Sequence, residues 1–136
     1  MSYTAAAALQ AAIFTHLSAD AALVALVGSN IHDQPPPGPL PGLHVVLGEE
    51  DATAETDASG ALARHEVQVT ILSEEAGFAA VKDVAGAVSA ALDDPALTLA
   101  SGRLVTMRFV RARAVRGKAS SARRIELRFR ALVEAD

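Results

Sequence analysis

The sequence predicts an α+β fold, in which a mostly antiparallel sheet of about four to five strands carries two main helices on one face. Three observations predict it. Apolar residues recur at helical spacing near the N-terminus, as Leu9, Ile13 and Leu17 do. The segment "RHEVQVTILS" instead alternates apolar and polar residues, as a half-buried strand does. Two further alternating runs near the C-terminus predict a long β-hairpin.

The N-terminal part predicts two helices of unequal length. The first is expected within "SYTAAAALQAAIFTHLSAD", where alanines accompany the apolar stripe. The second, "AALVALVG", is expected to begin after Asp20, because aspartate caps helix N-termini, and to stop at Gly28. Residues 31–33 then predict a short extended piece.

A cluster of prolines follows this extended piece. Each proline fixes its own φ and biases the preceding residue toward extended backbone, so the cluster should be stiff. It could be an interdomain linker, a ligand for an SH3-type partner through Pro36 and Pro39, or a structural strap. We favour the strap and a single domain of residues 1–136, because neither side alone has enough strands for a sheet. The prolines are Pro35, Pro36, Pro37, Pro39 and Pro41.

An acidic segment follows the next predicted strand, "LHVVLG". The segment "EEDATAETDASGAL" is small, polar and rich in turn-forming residues, which predicts a mobile loop of about a dozen residues. Its carboxylates are Glu49, Glu50, Asp51, Glu55 and Asp57.

The second half of the chain predicts a helix and the hairpin. The helix carries an apolar stripe of Phe78, Val81, Ala85, Val88 and Leu92. The hairpin should turn within residues 117–122. The alternation of its first arm slips near Phe109 and Val110, where a β-bulge would restore the pattern. In its second arm, the apolar face is Ile125, Leu127, Phe129, Ala131 and Val133.

Composition excludes several classes of protein. The chain has no cysteine, so it has no disulfide framework and no thiolate metal site. Its N-terminus lacks the pattern of a secretory signal peptide, and no stretch approaches the roughly 18 apolar residues of a membrane span. We therefore expect a soluble protein without a membrane partner, cytoplasmic while it assembles.

Motifs for catalysis and for cofactor binding are missing. The chain has no nucleophile elbow, no P-loop and no dinucleotide-binding glycine pattern. His16 is expected to pack beside the first helix. His32 and Asp33 could join His44 in a metal site, but their spacing matches no known metal motif. We predict a protein that is not an enzyme, with no cofactor and no metal.

Charge is distributed unevenly along the chain. Residues 1–102 hold two basic and thirteen acidic side chains, whereas residues 103–136 hold ten basic and three acidic ones. This asymmetry favours either head-to-tail self-association or an anionic partner. The arginines of the predicted hairpin that we select as candidate interface residues are Arg108, Arg111, Arg113, Arg116, Arg124, Arg128 and Arg130.

Two functions fit this basic hairpin. It could lie along nucleic-acid phosphates, although no aromatic residues are interleaved to stack bases. It could instead bind carboxylates of another subunit, including those of the acidic segment, in a heterologous contact that closes a ring.

Four stretches together resemble the tail completion, or tail terminator, proteins of long-tailed phages and phage-derived gene transfer agents. They are "ALQAAIFTHLSADAALVALVGSNIHDQPPPG", "LHVVLGEED", "HEVQVTILSEEAGFAAVKDVAGAVSAAL" and the hairpin ending "RRIELRFRALVE". They cover nearly the whole chain in the family's order and spacing.

The resemblance implies a structural virion role in the tail or neck. It implies a homo-oligomeric ring, typically a hexamer, at the head-proximal end of the tail tube. That ring would contact the tail tube protein and the head connector or stopper protein, and double-stranded DNA would pass through its lumen. On this basis we expect the acidic segment to line the lumen or an inter-ring contact, and the basic hairpin to bind protein carboxylates.

Overall fold

The computed structural model describes residues 3–33, 42–55, 61–74, 77–116 and 122–136. Within these ranges the chain forms three helices and five strands. In chain order they are α1 (Ala6–Ser18), α2 (Ala21–Val27), β1 (Ile31–His32), β2 (Leu43–Ala54), β3 (Leu62–Ser73), α3 (Ala79–Ala91), β4 (Arg103–Arg116) and β5 (Arg123–Glu134).

The strands form one sheet in the order β1-β2-β3-β5-β4. The pairs β2–β3, β3–β5 and β5–β4 are antiparallel, and the short β1 pairs with β2 in parallel. Helix α3 packs on β3 and β5, while α1 and α2 contact β1 and β2. The predicted α+β class and the C-terminal hairpin are therefore confirmed. The turn of the hairpin lies outside the described residues, between Arg116 and Arg123, which are paired.

The N-terminal helices follow the sequence signals closely. Leu9, Ile13 and Leu17 are buried along one side of α1. The carboxylate of Asp20 accepts a hydrogen bond from the backbone N–H of Leu23 at 3.0 Å and so caps α2. Gly28 ends that helix with a φ of 59°, a conformation that glycine adopts without steric strain.

Strict alternation on β3 and β5 builds the core against the helices. Along β5, every second residue from Ile125 to Val133 is buried, as predicted. Phe129 is fully buried at the centre of this set, opposite Val67 of β3 and Phe109 of β4. Helix α3 covers these strands with its predicted stripe and also with Val84. The other face of the sheet, which we call the open face, carries mostly polar and charged side chains.

The predicted acidic loop is wrong for its first residues. Glu49, Glu50 and Asp51 lie within β2, which runs on to Ala54 and pairs with β3 on both sides of Gly48 and Glu49. A register shift between Leu47 and Glu50 interrupts that pairing, as a β-bulge does. This half of β2 is mostly exposed, so it lacks the apolar residues from which a strand is recognised in a sequence. Glu55 follows the strand directly, and Asp57 lies outside the described residues.

The bulge predicted in β4 is confirmed as a register shift between Phe109 and Arg111. A second shift, between Leu104 and Thr106, was not predicted. The proposed proline strap falls at residues 34–41, outside the described residues, so its role stays a prediction. Residues on both sides of it, such as Ile31 and Val45, contribute to the same hydrophobic core.

Candidate subunit interface

Three of the seven candidate arginines are neutralised within the chain. On the open face, Arg130 contacts Glu66 at 2.8 Å, Arg128 contacts Asp51 at 3.2 Å, and Arg124 contacts Glu126 at 3.1 Å. Each pair is at least partly exposed, and such surface pairs contribute only about 0–1 kcal/mol to stability. Their main consequence is electrostatic, because the positive charge of each of these arginines is already balanced by a carboxylate of the same chain.

The four remaining arginines all lie on β4, at the edge of the sheet. Among the described residues, no carboxylate lies within ion-pair distance of them. Three of them face another arginine across the strands, since Arg108 is opposite Arg130, Arg111 is opposite Arg128 and Arg116 is opposite Arg123. Like charges in directly opposite positions destabilise a sheet, so an external carboxylate or phosphate would relieve this repulsion. The four are Arg108, Arg111, Arg113 and Arg116, and all are exposed.

The backbone of β4 is open along the same stretch. The loop residue Asp94 covers the strand at Met107, donating its N–H to the Met107 carbonyl at 3.0 Å and accepting from the Met107 N–H at 3.3 Å. Beyond that point, no described residue bonds the outer backbone edge of β4. Phe109, 49% exposed, lies at the start of this open stretch. We call residues 109–116 the basic edge.

The opposite side of the sheet is also open, and it is acidic. Strand β1 pairs only with Val45 and Val46 of β2, so it leaves the rest of β2 uncovered. In the part of the chain that the structure describes, no backbone group bonds the outer edge of residues 48–54. Asp51 has a side chain 78% exposed, and Glu49 is exposed with no ion pair to any described residue. We call residues 48–54 the acidic edge.

Glu50 differs from Glu49 and Asp51, because its carboxylate accepts two hydrogen bonds from other side chains of the same chain. Its carboxylate accepts a hydrogen bond from the Tyr3 hydroxyl at 2.8 Å and another from Nδ1 of His65 at 2.9 Å. The His65 side chain is fully buried and its ring stacks on Tyr3. This network ties the N-terminal segment to β2. Glu50 is therefore a poorer candidate for an inter-ring or lumen contact than Glu49 or Asp51.

The network changes the chemistry of Tyr3. Its hydrogen bond to Glu50, the negative charge of that carboxylate and some desolvation together raise the pKa of Tyr3 above its usual value of 10.0. A raised pKa means that folding favours the neutral phenol. The stabilising effect is present below the unfolded pKa and is lost as the pH rises through the folded pKa.

Replacement of Glu50 by glutamine is expected to lower the titration midpoint of Tyr3 toward that of unfolded protein. Tyr3 is the single tyrosine of a chain without tryptophan, so near-ultraviolet absorbance of the tyrosinate reports this residue alone. Glu49→Gln is the matched control and should leave the midpoint unchanged. Equal midpoints in wild type and Glu50→Gln would show that the network does not hold in solution.

The histidines and carboxylates give no sign of a metal centre. Within the described ranges, no group of three or more potential ligands is placed to hold a metal ion. His16 bonds the Ala91 carbonyl at 2.8 Å and so joins α1 to the end of α3. His32 and His44 do approach each other, with ring centroids 6.3 Å apart, but no third ligand from the described residues completes a site.

No single described helix is long and apolar enough to cross a membrane. Helices α1 and α2 pass that test only when taken together, by length and composition, and they are bent by 76° relative to each other.

Sequence reasoning missed the Tyr3–Glu50–His65 network. Its members are far apart in the chain, since Tyr3 and Glu50 are separated by 47 positions. The pairing of β2 with β3 brings Glu50 and His65 together, and it involves the part of β2 for which the sequence predicts a loop.

A five-stranded α+β fold of this kind occurs in a known virion. A chain in a solved structure described as "Virion of native gene transfer agent (GTA) particle" matches with a TM-score of 0.93 and 48% identity, over 98% of this chain and 99% of that one. The fold is thus that of a virion structural protein. A family model, "Tail completion protein gp17", matches residues 11–134, and the chain belongs to this family. The resemblance predicted from the sequence is therefore confirmed. A search of curated proteins found no match.

Proposed function

We propose that this tail completion protein forms a closed ring, a hexamer, at the head-proximal end of the tail tube of a gene-transfer-agent-like particle. In this position it ends tube polymerisation and joins the tail to the head connector or stopper. Double-stranded DNA passes through its lumen. Family membership and the close match to a chain of a gene transfer agent virion support a role in the tail or neck.

The single observation that carries the ring is the opposite charge of the two open edges. The basic edge presents arginines without carboxylate partners among the described residues, and the acidic edge presents Glu49 and Asp51 at the far side of the same sheet. Complementary patches on opposite sides of one subunit make a heterologous, head-to-tail contact, which closes into a ring when the rotation between subunits allows it.

The role is structural in this proposal, and no catalysis is assigned to the chain. Glu49, Asp51 and Glu55 stay candidates for the lumen or for an inter-ring contact. Of these, Glu49 and Asp51 fit a contact between neighbouring subunits better, because they lie on an open strand edge.

Electron microscopy of particles from a producing strain without this gene tests the function. We expect tails of uncontrolled length beside unjoined heads, and restoration of joined particles by the wild-type gene. Joined particles with tails of normal length in the deletion strain would refute the proposal.

Nucleic-acid binding is the second candidate, because Arg108, Arg111, Arg113 and Arg116 lie on one strand without carboxylate partners among the described residues. A filter-binding titration with duplex DNA distinguishes the two. Micromolar affinity that falls steeply with salt would favour a phosphate-binding ribbon. Weak binding at physiological salt would favour protein carboxylates as the partner of the basic edge.

A further inference from the structure

We propose that neighbouring subunits join by a continuous antiparallel β-ladder, in which the basic edge of one copy pairs with the acidic edge of the next, placing Arg111 opposite Asp51 and Arg113 opposite Glu49. This inference rests on the proposed ring and specifies its contact. Within the described ranges, both edges have unpaired backbone donors and acceptors, which is the condition for adding a strand.

Strand direction agrees with such a ladder. Strands β2, β3, β5 and β4 are successively antiparallel, so β4 runs opposite to β2. A head-to-tail repeat keeps the helices on the same side of the sheet. The β4 strand of one copy then meets β2 of its neighbour in antiparallel orientation. The two open stretches, residues 109–116 and 48–54, also have similar lengths.

The charged side chains select the register. Arg111 and Arg113 lie opposite Arg128 and Glu126, which places both on the open face. Asp51 lies opposite Glu66 and ion-pairs with Arg128, so it is on the same face. Glu49, two residues before it and within the bulge, is on this face too, because it lines a surface depression together with Arg111 and Arg113. Two arginines at a spacing of two residues thus meet two carboxylates at the same spacing. Shifting the ladder by two residues in either direction leaves one arginine without its carboxylate.

The remaining pairs of this register raise no steric conflict. On the helix side, Ala112 would lie opposite Glu50 and Ala114 opposite Gly48. These small side chains leave the Tyr3–Glu50–His65 network undisturbed. Each new pair would be a charge-assisted contact on a partly covered face, where it is stronger than in open water.

The register also staggers successive sheets. Within one subunit, Arg113 pairs with Glu126, Glu126 with Thr70, and Thr70 with Val46 of β2. Arg113 and Val46 therefore occupy corresponding positions along their strands. Pairing it with Glu49 of the neighbour shifts the two sheets by about three residues, or roughly 10 Å at the rise of a strand. Closure of a sheet into a barrel requires a stagger between strands and a tilt of the strands to the axis. The proposed contact supplies such a stagger.

Disulfide trapping tests the register, because the natural chain has no cysteine. Particles carrying Arg113→Cys with Glu49→Cys, or Arg111→Cys with Asp51→Cys, are oxidised mildly and run on a non-reducing gel. Opposite residues in an antiparallel pair are about 4.5–5.5 Å apart between Cα atoms, which suits a disulfide. Within one chain, β4 and β2 are three strand spacings apart, or roughly 14 Å, which excludes an internal bond.

We expect covalently cross-linked oligomers from both matched pairs, and at least tenfold less cross-linking from the slipped pair Arg113→Cys with Asp51→Cys. Joined particles in which the matched pairs give no cross-linked oligomers, or in which the slipped pair cross-links as strongly as the matched pairs, would overturn the register and leave the ring proposal standing. Normal tails in a strain without the gene would overturn both proposals.

Discussion

Replacement of Phe129 by alanine is expected to lower the free energy of unfolding by about 3–5 kcal/mol, a large share of the stability of a small domain. The phenyl side chain of Phe129 is fully buried, opposite Val67 on one side and Phe109 on the other, and its loss leaves a cavity beneath the helices. Urea unfolding of the purified subunit, followed by circular dichroism, measures the change. The slope of the transition should stay the same, because the surface exposed on unfolding hardly changes.

Phe109→Ala is the matched control for that experiment. The two phenylalanines are opposite each other with ring centroids 6.1 Å apart in an edge-to-face contact, but Phe109 is about half exposed. Its replacement should lower the free energy of unfolding by only about 1 kcal/mol, the value of an aromatic pair at a surface. Equal losses for the two variants would contradict the difference in burial between Phe129 in the core and Phe109 at the sheet edge.

Phe129 also illustrates what the sequence could predict. Its strand alternates without interruption, and one face is buried against helices, so period and burial agree along its whole length. The cap at Asp20 and the stop at Gly28 depend only on neighbouring backbone and were equally predictable. The bulge after Phe109 left a visible slip in the alternation.

The acidic half of β2 shows why prediction failed elsewhere. A strand is recognised by a buried face, whereas Gly48 to Ala54 is exposed along most of its length at the sheet edge. The pairing of Arg128 with Asp51 joins positions 77 residues apart and follows from the strand order, which no local pattern specifies. The sequence therefore predicts a basic hairpin, but it does not show which of its arginines pair with carboxylates of the same chain and which lie at the open edge.

Reversal of charge at the basic edge is expected to abolish joined particles while leaving the subunit folded. In Arg111→Glu with Arg113→Glu, the changed side chains would face Asp51 and Glu49 of the neighbour, and opposed like charges cost several kcal/mol at an interface. Each 1.4 kcal/mol lowers the association constant about tenfold, and every contact of the ring carries the same penalty. Particle counts by electron microscopy measure assembly, and circular dichroism checks the fold.

Arg103→Glu is the control on the same strand. Arg103 is exposed but contacts Glu134 of its own chain at 2.9 Å, and it lies outside the basic edge. Its reversal should leave the particle count near that of wild type. Loss of particles in Arg103→Glu as well would mean that general charge, rather than the open edge, governs assembly.

Charge exchange then tests the head-to-tail nature of the contact. Glu49→Lys with Asp51→Lys should block assembly as well, since lysines would face Arg111 and Arg113. Placing all four changes in one chain restores opposite charges at every contact, so assembly should return. Mixing the two blocked variants should restore it only when they alternate around the ring, which requires an even number of subunits. A hexamer satisfies that condition; rescue by the fourfold variant without rescue by the mixture would instead indicate an odd ring.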